Sequence, residues 1–218
     1  EDRRVIAAVS KERQRIAVGV EIISRALKKG GRLVFVGAGT SGRLGLLEAA
    51  EIPPTFGTDP SMVLAVMAGG ARGLVVQRDG VEDNYEEGSR AIARLKPTSK
   101  DVVVGVSASG MTPFVRGALN RARHAGAKVV FVTCYAGTEL QTAVDLTIAP
   151  SVGPEVIAGS TRLKAGTATK MVLNMLTTAA MVRMGKTYGS LMVDVQTTSE
   201  KLRDRARRIL VIVNGIDY

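Results

Sequence analysis

The chain has 218 residues, of which 45% are hydrophobic and only 4% aromatic, and 30 Lys and Arg against 20 Asp and Glu give a formal charge of +10. That is ample apolar material for a packed core, and 24 glycines fit an α/β protein with many tight turns. A single cysteine, Cys134, excludes an internal disulfide framework, and no apolar run approaches the ~18 residues of a membrane span.

The cations lie in helical segments such as KERQR (11–15) and KLRDRARR (201–208), with acids interleaved. No aromatic-rich basic groove or zinc-finger spacing accompanies them, so a solvated basic surface is expected rather than a nucleic-acid site. One cysteine and no signal-peptide pattern lead to the expectation of a soluble, cytoplasmic protein with no membrane partner.

In chain order, apolar residues at helical spacing predict a helix over 3–29, closed by Gly30-Gly31. A strand follows at 32–36, then a glycine turn, a helix over 40–50 and the turn IPPTFG. SMVLAVMAG (61–69) reads as a second strand, 82–95 as a helix and DVVVGVSAS (101–109) as a third strand. A helix over 112–125, a strand at 128–134, a short helix near 138–143 and a short edge strand at 145–150 come next. Helical patterns over about 160–184 and 195–213 close the chain. β-branched strands alternating with helices predict a three-layer α/β/α sandwich on a five-stranded parallel sheet with right-handed crossovers. The flavodoxin-like order 2-1-3-4-5 is expected, with strands one and three adjacent at the switch point where ligands bind.

The turn Gly37-Ala38-Gly39-Thr40-Ser41-Gly42 fits G-x-G-x-x-G, so a dinucleotide site is its first reading. That site needs an acid at the end of strand two to hold a ribose, and the sequence there is Val66-Met67-Ala68-Gly69-Gly70. No Gly-Lys-Ser/Thr follows, so the Walker pattern fails as well. A second loop, Ser107-Ala108-Ser109-Gly110-Met111-Thr112, repeats the glycine and hydroxyl chemistry between strand three and its helix. Thr40, Ser41 and Thr112 have an ordinary use as helix caps. Two such loops at neighbouring strand ends instead point to a phosphate cradle of hydroxyls and backbone N–H groups.

The paired loops resemble the sugar isomerase (SIS) domain, which binds phosphosugars. GAGTSGRLG, EAAEIPPTFG, VGVSASGMTPFV, VGPEVIAGSTRLKAGTATK (152–170) and MGKTYGSLMVDVQTTSEKLRDRARRI (184–209) together resemble the N-acetylmuramic acid 6-phosphate etherase family over nearly the whole chain. The resemblance implies a single SIS domain over 1–218, with a core sheet at about 30–150 and the helices of 1–29 and 155–214 packed on it. The family's C-terminal helical subdomain is expected to be largely absent. A homodimer is implied, as are Gly39, Thr40, Ser41, Ser107, Ser109 and Thr112 as the phosphosugar cradle.

The implied reaction cleaves the D-lactyl ether of a phosphorylated amino sugar by elimination and then adds water, with no metal and no cofactor. The family's two catalytic glutamates correspond to Glu51, as acid toward lactate, and Glu82, as base at C2. Read on its own, Glu51 ends a helix beside Pro53-Pro54, where the dipole disfavours negative charge and suits a proton donor. Glu82 reads alone as a helix-start carboxylate, and its neighbour Asp83 competes for either role. Glu155 and Ser160 resemble a recurring SIS segment that approaches the sugar, against the plainer use of loop and helix cap. A phosphosugar-sensing regulator and a phosphosugar isomerase are the alternatives. His124 and Cys134 have no metal-ligand spacing around them.

Overall fold

A computed structural model describes residues 1–74, 80–197 and 199–217, and within these the side chain of Arg72 is left aside. The strands β1 (Leu33–Gly37), β2 (Val63–Met67), β3 (Val102–Val106), β4 (Lys128–Val132) and β5 (Leu146–Ile148) pair in parallel in the order β2-β1-β3-β4-β5. The expected order holds, and the short fifth strand lies at an edge. Alternate strand residues feed two separate cores. Leu33, Phe35, Val102, Val104 and Val130 face one layer of helices, while Val34, Val36, Val103, Val129 and Phe131 face the other. The first layer holds α1 (Arg3–Lys11), α2 (Arg13–Lys28), α3 (Gly39–Phe56) and α6 (Lys164–Arg183). The second holds α4 (Tyr85–Arg94) and α5 (Pro113–His124). Both strand faces are covered, which is why the β-strands read as continuous apolar runs.

Four differences from the sequence expectation bear on the site. The single helix expected over 3–29 is two helices, α1 and α2, parted at Glu12. The Glu12 carboxylate accepts a hydrogen bond from the Ala149 N–H at 3.0 Å, a partner beyond the sight of local periodicity. The helix expected to stop near residue 50 runs through Pro53 and Pro54 to Phe56. The two prolines remove only the donors to the Ala49 and Ala50 carbonyls. The Glu51 carbonyl accepts from the Thr55 hydroxyl at 2.7 Å, and Gly57, at φ +59°, closes the helix with its N–H on the Pro53 carbonyl. Glu51 therefore lies within the last turns of α3, not at its end.

The helix expected from 82 begins at Tyr85, capped by the Asn84 side chain, and Glu82 sits in a short 3-10 turn over Val81–Asp83. The strands at 101–109 and 128–134 end at Val106 and Val132, which frees the residues beyond them for loops. A small antiparallel hairpin, β6 (Thr187–Tyr188) with β7 (Leu191–Met192), had no sequence signal strong enough to announce it. The last helix, α7 (Glu200–Asn214), is capped by Ser199, and Thr198, in the stretch expected to be helical, lies outside the described residues.

Candidate active site

Gly37 pairs with Met67 on one side and Val106 on the other, and Val106 pairs with Val132. The loops after β1 and β3 therefore start at one height, side by side, at the carboxyl edge of the sheet. The first loop has to be made of glycine. A Cβ on Gly37 would lie 2.6 Å from the Gly42 N, and one on Gly42 would lie 2.8 Å from the Gly37 carbonyl oxygen. The chain thus folds hard back on itself, and Gly39, at φ +52°, starts α3 from a left-handed conformation that glycine adopts freely.

In the second loop the Ser107 hydroxyl is buried. It lies 2.7 Å from the Thr112 hydroxyl, 3.5 Å from the Ser109 hydroxyl, and accepts the Gly110 N–H at 3.2 Å. Gly110 is at φ +75°, and the Ser109 hydroxyl accepts from the Met111 N–H at 3.4 Å.

These contacts decide one question left open by the sequence. The N-cap of α3 is Ala38 and that of α5 is Thr112, and neither makes a side-chain cap hydrogen bond. The Thr112 hydroxyl is turned to Ser107 instead, and Thr40 and Ser41 lie inside the first turn of α3. Two helices therefore bring side-by-side N-termini, with their hydroxyls and positive dipole ends, to the same edge. The N-terminus of α6 joins them, since a Cβ added to Gly166 would lie 3.8 Å from the Thr40 Cγ2.

Glu155 is also at this edge, but its carboxylate is already engaged. Its two oxygens accept the Lys164 and Ala165 N–H groups at 2.9 Å each, which caps α6 from across the preceding loop. Ser160 lies in that loop, and its carbonyl accepts the Leu163 N–H. The cations nearby are similarly committed. Buried Lys164 pairs with Glu1, Lys170 with Glu48, and Arg43 donates to the carbonyls of Leu74 at 3.0 Å and Gly73 at 3.1 Å.

Glu82 lies on the exposed 3-10 turn at the carboxyl end of β2, beside Val81, which packs into the α4–α5 core. Glu51 is exposed on α3, on the other layer. The structure thus gathers the six loop residues and the Glu82 turn at one edge and leaves Glu51 apart from them. A cleft of about 600 Å³ adjoins the second loop, between Gly110–Pro113 with Arg116 and the stretch from Tyr135 to Leu140. A larger hollow, about 710 Å³, follows β2 and α4 with mostly apolar walls such as Leu46, Val66 and Leu95, and reaches Val81 and Asn84 on either side of the Glu82 turn.

Sequence reading missed Glu48. It is 2% exposed, and it accepts hydrogen bonds from Lys170, Asn174 and Thr177 of α6. The signal was available as a polar stripe at i, i+4 and i+7 on an otherwise apolar helix, facing an acid on α3. Cys134, by contrast, is chemically quiet. Burial pushes its thiol up to about 11, and its sulfur contacts the Ala165 carbonyl oxygen at 3.7 Å. No cluster of metal-ligating side chains occurs among the described residues.

Residues 15–123 match the model of the glucokinase regulatory protein N-terminal SIS domain, and residues 83–179 match the SIS domain. The curated N-acetylmuramic acid 6-phosphate etherase of Symbiobacterium thermophilum is 54% identical over 218 residues, covering 100% of this chain and 72% of that protein. The chain belongs to the N-acetylmuramic acid 6-phosphate etherase family. The etherase of Crocosphaera subtropica is 53% identical over 210 residues, covering 96% of this chain and 69% of its own length. The etherase fold is shared more widely. A phosphoheptose isomerase from Francisella tularensis superposes with a TM-score of 0.62 at 18% identity, covering 81% of this chain and 92% of that one. Within the etherase family the two hydroxyl loops of this chain are thus the carboxyl-edge loops of a SIS fold. No helix among the described residues is long and apolar enough to cross a membrane.

Proposed function

We propose that the two hydroxyl loops hold the phosphate of N-acetylmuramic acid 6-phosphate and that Glu82 and Glu51 are the base and acid of its cleavage. The chain is an enzyme, a carbon–oxygen lyase of cell-wall sugar recycling, as its identity of about half with etherases over nearly its full length supports. The observation that carries the phosphate assignment is the pair of uncapped helix N-termini at one sheet edge, each preceded by a glycine-and-hydroxyl loop. Backbone N–H groups of Gly39, Thr40 and Ser41, with the hydroxyls of Ser107, Ser109 and Thr112, supply the donors an anion needs. Glu155 and Ser160 border the same edge, Glu155 shaping it by fastening α6.

Opening of the sugar ring exposes an aldehyde at C1 and acidifies the C2 proton. Glu82 removes that proton, the electron pair forms the C2–C3 double bond, and the C3–O bond breaks as Glu51 protonates the departing D-lactate. Water then adds its hydroxyl at C3 and a proton returns to C2, which gives N-acetylglucosamine 6-phosphate. The steps require a proton acceptor and a proton donor and are balanced without an oxidant or reductant. Action in the cytoplasm, as a homodimeric single SIS unit, fits this chemistry.

The test is direct. Incubation with N-acetylmuramic acid 6-phosphate should release D-lactate and N-acetylglucosamine 6-phosphate in equal amounts, as followed by a coupled D-lactate dehydrogenase assay. Aldose–ketose exchange without lactate would identify an isomerase, and binding without turnover would identify a sensor. Either outcome sinks the lyase reading.

A further inference from the structure

The substrate proposed above carries two anions, the 6-phosphate and the carboxylate of the lactyl ether. The hydroxyl loops serve the first and leave the second without a partner. Three cations near the carboxyl edge are committed elsewhere, since Lys164, Lys170 and Arg43 are held by Glu1, Glu48 and two carbonyls. Arg116 is not. It lies on α5 one turn beyond Thr112, about 6 Å away at Cβ, and it is exposed in the cleft of about 600 Å³ that adjoins the second loop. Among the described residues its guanidinium makes no ion pair, and its Cζ sits 5.5 Å from the centroid of the Tyr85 ring.

Tyr85 is a fixed support. Its hydroxyl accepts from the Asn120 side chain at 2.9 Å, and a Cβ on Gly117 would collide with its carbonyl oxygen, so α5 and the start of α4 touch main chain to main chain. A cation over an aromatic face is held by the ring's quadrupole, while the N–H groups at its edge stay free to donate. The Glu82 turn and Asn84 directly precede Tyr85. Arg116 is therefore held between the second hydroxyl loop and the turn that carries the proposed base.

The facing wall has an unmet hydrogen-bonding group. The Thr138 hydroxyl is enclosed beside Gly110, where a Cβ would lie 3.3 Å from it, and it has no hydrogen-bond partner among the described residues. Glu139, the other charged side chain lining the cleft, is exposed on this wall and forms no ion pair with Arg116. The cation's charge is thus not neutralised within the cleft, and the acid confines an anion to the Arg116 side.

We infer that Arg116 recognises the lactyl carboxylate, and that the cleft between α5 and the Tyr135–Leu140 stretch is the lactyl subsite. The inference rests on the substrate and the phosphate cradle proposed above. A planar guanidinium meets a carboxylate through two parallel N–H···O bonds. The group it holds is the one that leaves, so Arg116 favours the substrate over the product, which keeps the phosphate and loses the lactyl chain. Arg116 sets specificity and moves no proton.

Two assays on Arg116→Ala and Arg116→Lys test this. One reads kcat/KM for D-lactate release, and the other reads competitive inhibition by N-acetylglucosamine 6-phosphate, which lacks the carboxylate. Arg116→Ala should lower kcat/KM about ten- to a hundredfold and leave the inhibition constant unchanged, with Arg116→Lys recovering part of the loss. A substrate whose lactyl carboxylate is converted to the amide should lose a similar factor with the wild type and be indifferent to Arg116→Ala. An unchanged kcat/KM would overturn the lactyl subsite. Equal weakening of substrate and product would overturn it as well, by showing that Arg116 serves the phosphate or the fold. A wild-type chain that releases no D-lactate would remove the substrate assignment and the subsite with it.

Discussion

The carboxylate of Glu48 on α3 and the ammonium of Lys170 on α6 meet at 2.9 Å, with the acid side chain 2% exposed and the lysine 36%. Asn174 and Thr177 complete the carboxylate's partners, so one buried acid ties the helix that leaves the first loop to the helix that reaches it from the other end of the chain. Replacing Glu48 with Ala strands three donors in a packed interface and is expected to cost about 3 kcal/mol. Lys170→Ala leaves the buried carboxylate with two neutral donors and no counter-ion, at a similar cost of about 3 kcal/mol. Urea unfolding of the two variants reads both losses. Midpoints equal to that of the wild type would show that the network is not the tie described.

Asp101 fastens the starts of β1 and β3. Its oxygens accept from the Arg32 N–H at 2.8 Å, the Arg32 guanidinium at 2.9 and 3.2 Å, and the Thr98 N–H at 2.8 Å. Burial pushes this carboxyl up, but the hydrogen bonds from Arg32 and Thr98 outweigh it and leave the folded value below the ordinary one. A depressed folded value means stability that is fully present above the unfolded carboxylate's pKa, about 4, and lost as pH falls through the folded value. The stability gap between wild type and Asp101→Asn should therefore be constant from pH 7 to about pH 5 and shrink below about pH 4. Urea midpoints across that range read it, and a gap that widens in acid would contradict the sign.

Ser107 and Thr112 are proposed to give the phosphate hydroxyl contacts. A hydrogen bond to a charged group contributes about 1.5–3 kcal/mol, so Ser107→Ala should raise KM roughly ten- to a hundredfold. If the contact is made equally in ground and transition states, kcat changes little. Competition by inorganic phosphate should weaken in parallel. An unchanged inhibition constant for phosphate would place the anion elsewhere.

The roles of the two glutamates separate in deuterium oxide. Glu82→Gln should abolish exchange of the C2 proton with solvent, whereas Glu51→Gln should keep exchange and slow lactate release by about 10²–10⁴. Mass spectrometry of recovered substrate checks this. Loss of exchange in the Glu51 variant alone would invert the roles.

Much of the architecture was written in local pattern. Five apolar strands and the repeated glycine-hydroxyl loop carried the strand order and the placing of two glycine-and-hydroxyl loops at one sheet edge, because burial on two faces and tight turns each leave a compositional trace. What escaped depended on distant partners. The break at Glu12 comes with a hydrogen bond to residue 149, and the continuation of α3 through Pro53-Pro54 needs Thr55 and Gly57 to satisfy its last carbonyls. The capping of α6 by Glu155 spans a loop whose path no periodicity reports. Glu48 went unnoticed because a single acid in a helix reads as surface until its facing helix is known.

The close fit of Gly37, Gly42 and Gly45 against their neighbours has a consequence for how such a protein diverges. Where side chains are missing by steric necessity, the surface offered to an anion is main chain, and main chain cannot be mutated. The main-chain part of the proposed phosphate grip is then hard to lose by drift and equally hard to retune. Discrimination among molecules that share a phosphate must be carried by groups outside the turn, so new substrates would be won at the rim while the phosphate grip is kept.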